Sequence, residues 1–349
     1  MLRHLVAAIL SLFALDAPPA SRAQSPALTL RQAAGQHMIF AYDGLQPPPA
    51  LRRRITRGEA AGVILFARNV RSARQVRATM RSLQAIRRPR GLRAPLIVMA
   101  DQEGGPVRRI AGAPRRPAAA VRSAAQARAD GLAAARTLRN AGVNMDLAPV
   151  ADVARPGAAL ARERRTYAQA AQFASAFAGG LHEGGVRATA KHYPGFGAAT
   201  VNTDSAAARI KTPLDELRAV DEPPFAQLVR DGVDAVMLST AVYPALDTRP
   251  AAFSRRWVTG ELRERLGFTG VSMTDDLGTP AVASYGSDGR RAVRAVRAGI
   301  DLPLFSSSYA AGAKAAEGLL TAARRGDVGE RSLRDGASRV LALRAKLPG

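Results

Sequence analysis

Hydrophobic residues fall along this chain in short, nearly unbroken runs separated by longer stretches of helical character. The runs span His37–Tyr42, Gly62–Phe66, Pro95–Ala100, Asn144–Val150, Arg187–Ala190, Val233–Leu238, Gly270–Met273 and Gly299–Leu304. Runs of Val, Ile, Leu and Met without polar alternation suit parallel strands covered on both faces. The alanine-rich stretches Ala124–Ala141 and Tyr167–Gly184 are long enough for crossover helices. Both end on the punctuation a helix wants, Ala141-Gly142 and Gly184-Gly185, just ahead of a strand. Eight strand–helix units over roughly 320 residues predict a single-domain α/β fold, a (β/α)8 TIM-type barrel. A doubly wound open sheet is the structural alternative. No Pro-, Gly- or Ser-rich linker divides the chain, and the basic segment Arg87–Arg93 reads as a solvated loop.

The N-terminus has a different pattern. Arg3 and His4 precede the apolar run Leu5–Leu15, followed by Pro18, Pro19 and Ser21-Arg22-Ala23. A short positive region, an apolar stretch and a small-residue site describe a secretory signal peptide over residues 1–23. The run is too short to span a bilayer; a buried N-terminal helix is the other reading. The barrel domain is then residues 24–349, and a secreted or periplasmic protein without stable membrane insertion is expected. The chain has no cysteine, which excludes disulfides, zinc–thiolate sites, thiol nucleophiles and a lipidated N-terminal cysteine.

The formal charge of +23 would ordinarily suggest a polyanionic partner. Lysine occurs only at Lys191, Lys211, Lys314 and Lys346, so 47 of the 51 basic residues are arginine, as in a GC-rich coding bias. The arginines are spread along the chain, and aromatic residues are only 5%, few for base stacking. No nucleic-acid partner is expected. Attraction to an anionic cell envelope is the milder reading of the charge.

Polar residues gather at the ends of the runs. Asp101 and Glu103 follow the third, Asp152 the fourth, Lys191 and His192 the fifth. Ser239 and Thr240 follow the sixth, Asp275 and Asp276 the seventh. In a barrel, active-site groups sit at the carboxyl ends of strands, so this series predicts a polar pocket at one end.

These residues carry a family resemblance. The stretches Asp101-Gln102-Glu103-Gly104-Gly105, Lys191-His192-Tyr193-Pro194-Gly195 and Thr274-Asp275-Asp276-Leu277 resemble signature segments of glycoside hydrolase family 3. Asn144–Asp152, Arg165-Thr166-Tyr167 and Ala252-Phe253-Ser254 leading to Leu266-Gly267-Phe268 support it, in order. The nearest likeness is to single-domain β-N-acetylglucosaminidases, whose catalytic domain is a (β/α)8-type barrel. The resemblance implies Asp275 as the nucleophile of a retaining glycosidase, with Asp276 beside it structural. It also implies that Asp101, Arg165, Lys191 and His192 hydrogen-bond sugar hydroxyls. For His192 a core histidine is the plainer reading, and Glu103 is expected only to shape its turn. A retaining enzyme needs an acid/base about 5–5.5 Å from its nucleophile.

The loop after the fifth run departs from the family. Its single-domain hexosaminidases present Gly-His-Gly and then an Asp-Ser-His triplet whose histidine is the acid/base. Here the loop reads Gly195-Phe196-Gly197, then Asn202-Thr203-Asp204. Counted from Lys191, Asp204 falls where the catalytic histidine belongs. Beyond the signal, only His37, His182 and His192 remain, so no other histidine can fill the loop. Three readings follow. Asp204 could be the acid/base, with its pKa raised from about 3.9 toward about 6 by the nearness of Asp275. The acid/base could come from elsewhere, as in longer family members that supply one from a second domain. The third reading is a catalytically lapsed barrel that binds glycan without cleaving it. Pro106 and Ser239-Thr240 also replace common family residues, which could alter the sugar subsite. Gly195 and Gly197 suggest a mobile loop that closes over sugar.

No cofactor or metal is implied, because neither a ligand cluster nor a complete phosphate or dinucleotide loop occurs. The expected function is an exported retaining β-glycosidase. It would resemble β-N-acetylhexosaminidases and act on cell-envelope or environmental glycan carrying β-linked sugar of the N-acetylglucosamine kind.

Overall fold

The computed structural model describes residues 28–348, so the segment read as an export signal lies outside the described residues. Seven parallel strands form one curled sheet: β1 Ile39–Phe40, β2 Gly62–Ile64, β3 Ile97–Ala100, β4 Met145–Asp146, β5 Arg187–Tyr193, β6 Ala235–Leu238 and β7 Val271–Thr274. Their spatial order follows the chain order. The eighth run, 299–304, is not a continuous ladder, yet it closes the ring. Leu302 bridges Met273 of β7 and Phe305 bridges Phe40 of β1, both in parallel. Sequential order with closure is the TIM-type barrel, and it removes the doubly wound alternative, whose strand order reverses.

Strand faces divide the core. Ile39, Ile64, Ile97, Met99, Met145, Met237, Val271, Met273, Leu302 and Leu304 fill the barrel interior. Val340, Leu343 and Leu347, in and just after the C-terminal helix Glu330–Ala345, join that cluster. Alternate strand residues such as Phe40, Val63, Val98 and Val236 pack outward into the helical layer. The paired strands are shorter than the apolar runs, except that β7 equals its run in length and β5 exceeds its own. β5 extends to Tyr193, so Lys191 and His192 lie in the last turn of the strand rather than after it.

The helices begin and end where small polar residues and glycines allow. Ser72, Ser123 and Ser308 accept hydrogen bonds from the N–H of Gln75, Gln126 and Ala311 at 3.1, 3.2 and 3.2 Å, capping three helices. The expected helices run Ala124–Asn140 and Ala170–Glu183, followed by left-handed Gly142 and Gly185. These two helices pack almost backbone to backbone. A Cβ on Gly131 would lie 2.1 Å from the Phe177 carbonyl oxygen, and one on Gly180 would lie 2.1 Å from that of Arg128. Rigid backbone cannot yield as a side-chain tip can, so overpacking costs should apply in full. Gly131→Ala and Gly180→Ala are each expected to destabilise by about 1–3 kcal/mol in denaturant melts, despite alanine's better helix propensity.

The segment Arg87–Arg93 is not a merely solvated loop. Arg88 is buried, and its guanidinium donates to the carbonyl oxygens of Gln84, Ile86, Leu92 and Arg93 at 3.1–3.2 Å. Those bonds wrap the loop around the side chain, a use of arginine that a count of charges does not reveal.

Candidate active site

A cavity of about 560 Å³ opens at the carboxyl ends of the strands. Asp101, Arg165, Lys191, His192, Asp204 and Asp275 all line it. The barrel thus gathers Asp101, Lys191, His192 and Asp275 into one polar pocket, as the series of strand-end residues predicts, and adds Arg165 and Asp204 from loops. Ser239 and Thr240 do not line it. Ser239 is buried and accepts from the N–H of Ala241 at 3.0 Å, and the Thr240 hydroxyl is buried without a partner.

The inner wall is an ionic cluster. Lys191 Nζ lies 2.7 Å from Asp101 Oδ1 and 2.6 Å from Glu103 Oε1. Arg165 grips Glu103 with two parallel bonds of 2.8 Å and reaches Glu163 at 3.0 Å. Arg109 Nη2 stands 3.3 Å from Asp101 Oδ2. Burial by itself would raise both carboxyls. Lys191, with Arg109 beside Asp101 and Arg165 beside Glu103, outweighs it and holds both below the usual carboxylate range. Burial pulls the Lys191 ammonium down, but the two carboxylates prevail and hold it above its ordinary value. The wall therefore presents fixed charges whose remaining lone pairs and N–H groups can meet several hydroxyls of one sugar ring. Glu103 is more than a turn residue: it is the centre of this cluster. Its burial beside two cations was not legible from a turn-like sequence stretch.

His192 is held by Asp152. Its Nδ1 lies 2.8 Å from Asp152 Oδ2, and the same carboxylate accepts the backbone N–H of His192 and Phe196 at 3.1 and 2.5 Å. Asp152 is fully buried, so one carboxylate orients the ring and starts the following loop. That loop uses its glycines for close packing. A Cβ on Gly197 would lie 1.8 Å from the Val153 carbonyl oxygen, and the Gly195 carbonyl accepts from the Tyr243 hydroxyl at 3.0 Å. Phe196 between them is buried and lines the cavity. The glycines therefore let the loop's first half pack closely against the barrel.

Farther along, the loop returns to the pocket rim. Asn202 Oδ1 accepts the Asp204 N–H at 3.0 Å, and Asn202 Nδ2 reaches Glu163 Oε1 at 3.4 Å. Asp204 is exposed on its outer side and faces the cavity on the other. Protein crowding on that side raises its pKa, and the Asp275 carboxylate raises it further; His192 and Arg165 oppose. Asp275 follows β7, its N–H bonded to the Leu238 carbonyl at 2.9 Å and its Oδ1 accepting the Asp276 N–H at 2.8 Å. Asp276 is committed elsewhere. Its carboxylate accepts from the N–H of Gly278 and Ser306 at 2.7 and 3.0 Å and from the Ser306 hydroxyl, joining β7 to the eighth segment. Chemically, the pocket offers two carboxyls of unequal environment above a wall of charged hydrogen-bonding groups.

The comparisons agree with this geometry. Residues 29–343 match the profile of the glycosyl hydrolase family 3 N terminal domain. An uncharacterized secreted glycosyl hydrolase of Arthroderma benhamiae is 37% identical, over 92% of this chain and 95% of its own. A beta-hexosaminidase of Methylobacillus flagellatus is 34% identical, over 72% of this chain and 75% of its own. A glycoside hydrolase family 3 beta-N-acetylglucosaminidase from Paenibacillus sp. superimposes with a TM-score of 0.84 at 32% identity; the match takes in 93% of this chain and 64% of that one. Among the described residues, no helix is long and apolar enough to cross a membrane. With its barrel, its charged pocket and a profile match over nearly its whole length, the chain belongs to glycosyl hydrolase family 3 and is a glycoside hydrolase.

Proposed function

We propose that the protein is an exported, retaining β-N-acetylhexosaminidase in which Asp275 is the nucleophile and Asp204 the acid/base. The observation that carries this is the shared cavity. Asp275 and Asp204 both face it, over a wall where Asp101, Lys191 and Arg165 can hold the sugar and His192 is fixed by Asp152. Family membership supports the reaction class, and the names of the relatives support the N-acetylglucosamine preference.

The sequence of events follows from charge. Asp275 attacks the anomeric carbon while Asp204, protonated, donates its proton to the departing oxygen. The glycosyl ester on Asp275 is then hydrolysed by a water that gives its proton to the Asp204 carboxylate. A raised pKa suits Asp204 to the first step, because the acid form survives to higher pH than an ordinary aspartic acid would. The sign follows: turnover of substrates with poor leaving groups is lost as pH rises through the Asp204 pKa. Substrates that leave unaided lack that alkaline limb.

The test is leaving-group dependence. Asp204→Ala is expected to slow an N-acetylglucosaminide with an alkyl or sugar leaving group by about 10²–10⁴-fold. Glycosylation by a dinitrophenyl glycoside should be nearly unchanged, and the alkaline limb should vanish. An equal loss on both substrates, or none on either, removes Asp204 from this role. The absence of a histidine from the loop favours the second reading, a glycan-binding barrel without turnover. On that reading the sugar binds and neither substrate is cleaved.

A further inference from the structure

A second cavity, of about 1000 Å³, lies beside Pro95 and Asn144, at the amino-terminal ends of β3 and β4. It is therefore at the opposite end of the barrel from the candidate active site. Six arginines line it: Arg77 and Arg81 from the helix Ala73–Gln84, Arg88 and Arg93 from the loop after it, and Arg136 and Arg139 from the helix Ala124–Asn140. The carboxylate among its lining residues, Glu183, is engaged by Arg128 at 2.9 Å.

The six arginines differ in what they do. Arg88 is buried and holds its loop, and Arg139 donates to the Gly184 carbonyl at 3.1 Å. Arg77, Arg81 and Arg136 are exposed and, among the described residues, form no ion pair. Arg77 and Arg81 stand four residues apart on one helix face, a like-charge spacing that destabilises an isolated helix. Arg81 and Arg139 sit in last turns, where the helix dipole favours a cation; Arg77 and Arg136, farther from the ends, gain less. At the active site, by contrast, Arg165 and Arg109 are matched to carboxylates. In the basic cleft, Arg77, Arg81 and Arg136 face no carboxylate among the described residues, since Glu183 is taken by Arg128.

We propose that this cleft binds a flexible, phosphate-bearing linear polyanion, which holds the enzyme by the end of the barrel opposite its pocket. Guanidinium forks match phosphate oxygens two at a time, and cations on both helical walls suit successive phosphates of a bending chain. A net charge of +23 draws such a polymer in from a distance. The catalytic pocket stays open while the cleft is filled, so a tethered enzyme still works on neighbouring glycan.

The probe is inorganic polyphosphate, titrated against the full chain at several salt concentrations. Two variants of equal charge separate the cleft from diffuse charge. One is Arg77→Gln/Arg81→Gln/Arg136→Gln. The other is Arg290→Gln/Arg297→Gln/Arg324→Gln, at exposed positions outside the lining of the cleft. The cleft variant should bind at least about tenfold more weakly, with a log–log salt slope reduced by roughly two to three. The control variant should stay within about twofold of the parent, and aryl-glycoside turnover should be alike in all three. Equal weakening in both variants would overturn the proposal. So would equal or tighter binding of polyglutamate or duplex DNA at matched charge.

Discussion

Asp275→Ala is expected to lower kcat/KM by about 10⁴- to 10⁶-fold, a loss of roughly 5.5–8 kcal/mol in transition-state stabilisation. The variant should stay folded. Asp275 is partly exposed, and the side-chain bond it gives up is the one from the Asp276 N–H at 2.8 Å. The neighbouring position makes the internal control. Asp276 carries bonds to Gly278 and Ser306, so Asp276→Ala should lower stability, through a cut link between β7 and the eighth segment. Activity and stability should therefore separate across two adjacent aspartates. Steady-state kinetics and denaturant melts on both variants check this. A destabilised Asp275→Ala or a stable but inactive Asp276→Ala would reverse the two roles.

Lys191→Met is expected to give the largest loss of stability, about 3–5 kcal/mol, because it leaves two buried carboxylates short of a cation. Lys191 and Glu103 are 3% and 5% exposed in their side chains, so water cannot make up the loss. Arg109 and Arg165 still face Asp101 and Glu103, which keeps the cost below that of two unpaired charges. The same change alters the pH dependence of folding. Asp101 and Glu103 are held below their unfolded pKa values, so their contribution is present above about pH 4–4.5 and lost as pH falls through the folded values. Without Lys191 those folded values rise, and acid unfolding should begin at higher pH. Urea melts from pH 3 to pH 8 measure both effects. A variant as stable as the parent across that range would mean that the cluster contributes little.

Much of this architecture is legible in the chain itself. Unalternated runs of Val, Ile, Leu and Met mark strands buried on both faces, and Asp101, Lys191 and Asp275 follow or end three of them. Pocket position is then a consequence of barrel geometry. Less visible is anything decided by packing across the barrel. Glu103 looks like part of a glycine turn, and only the approach of Lys191 from β5 and of Arg165 from the loop ahead of the helix Ala170–Glu183 turns it into a buried ionic centre. Nor can a sequence show the Asp221 side chain and the Val153 carbonyl that crowd the space beside Gly195 and Gly197. Ser239 and Thr240 follow a strand as Asp275 does, yet they turn into the protein. A strand end gives the level of a side chain in the barrel and leaves its direction to local backbone bonds. The basic cleft is hidden for a similar reason: its cations come from two helices and a loop, and only the fold brings them to one side.

The most direct test of a nucleophilic Asp275 is covalent trapping. The folded chain would be incubated with 2-fluoro and 5-fluoro sugars bearing dinitrophenyl or fluoride leaving groups, with N-acetylglucosaminyl and glucosyl configurations represented. Intact mass and peptide mapping would follow. Such leaving groups depart without a proton, so the result depends on the nucleophile and not on Asp204. The predicted result is one added sugar, on the peptide containing Asp275, absent from Asp275→Ala. A folded protein that gains no sugar from any member of the panel, or gains it on another residue, would contradict the account.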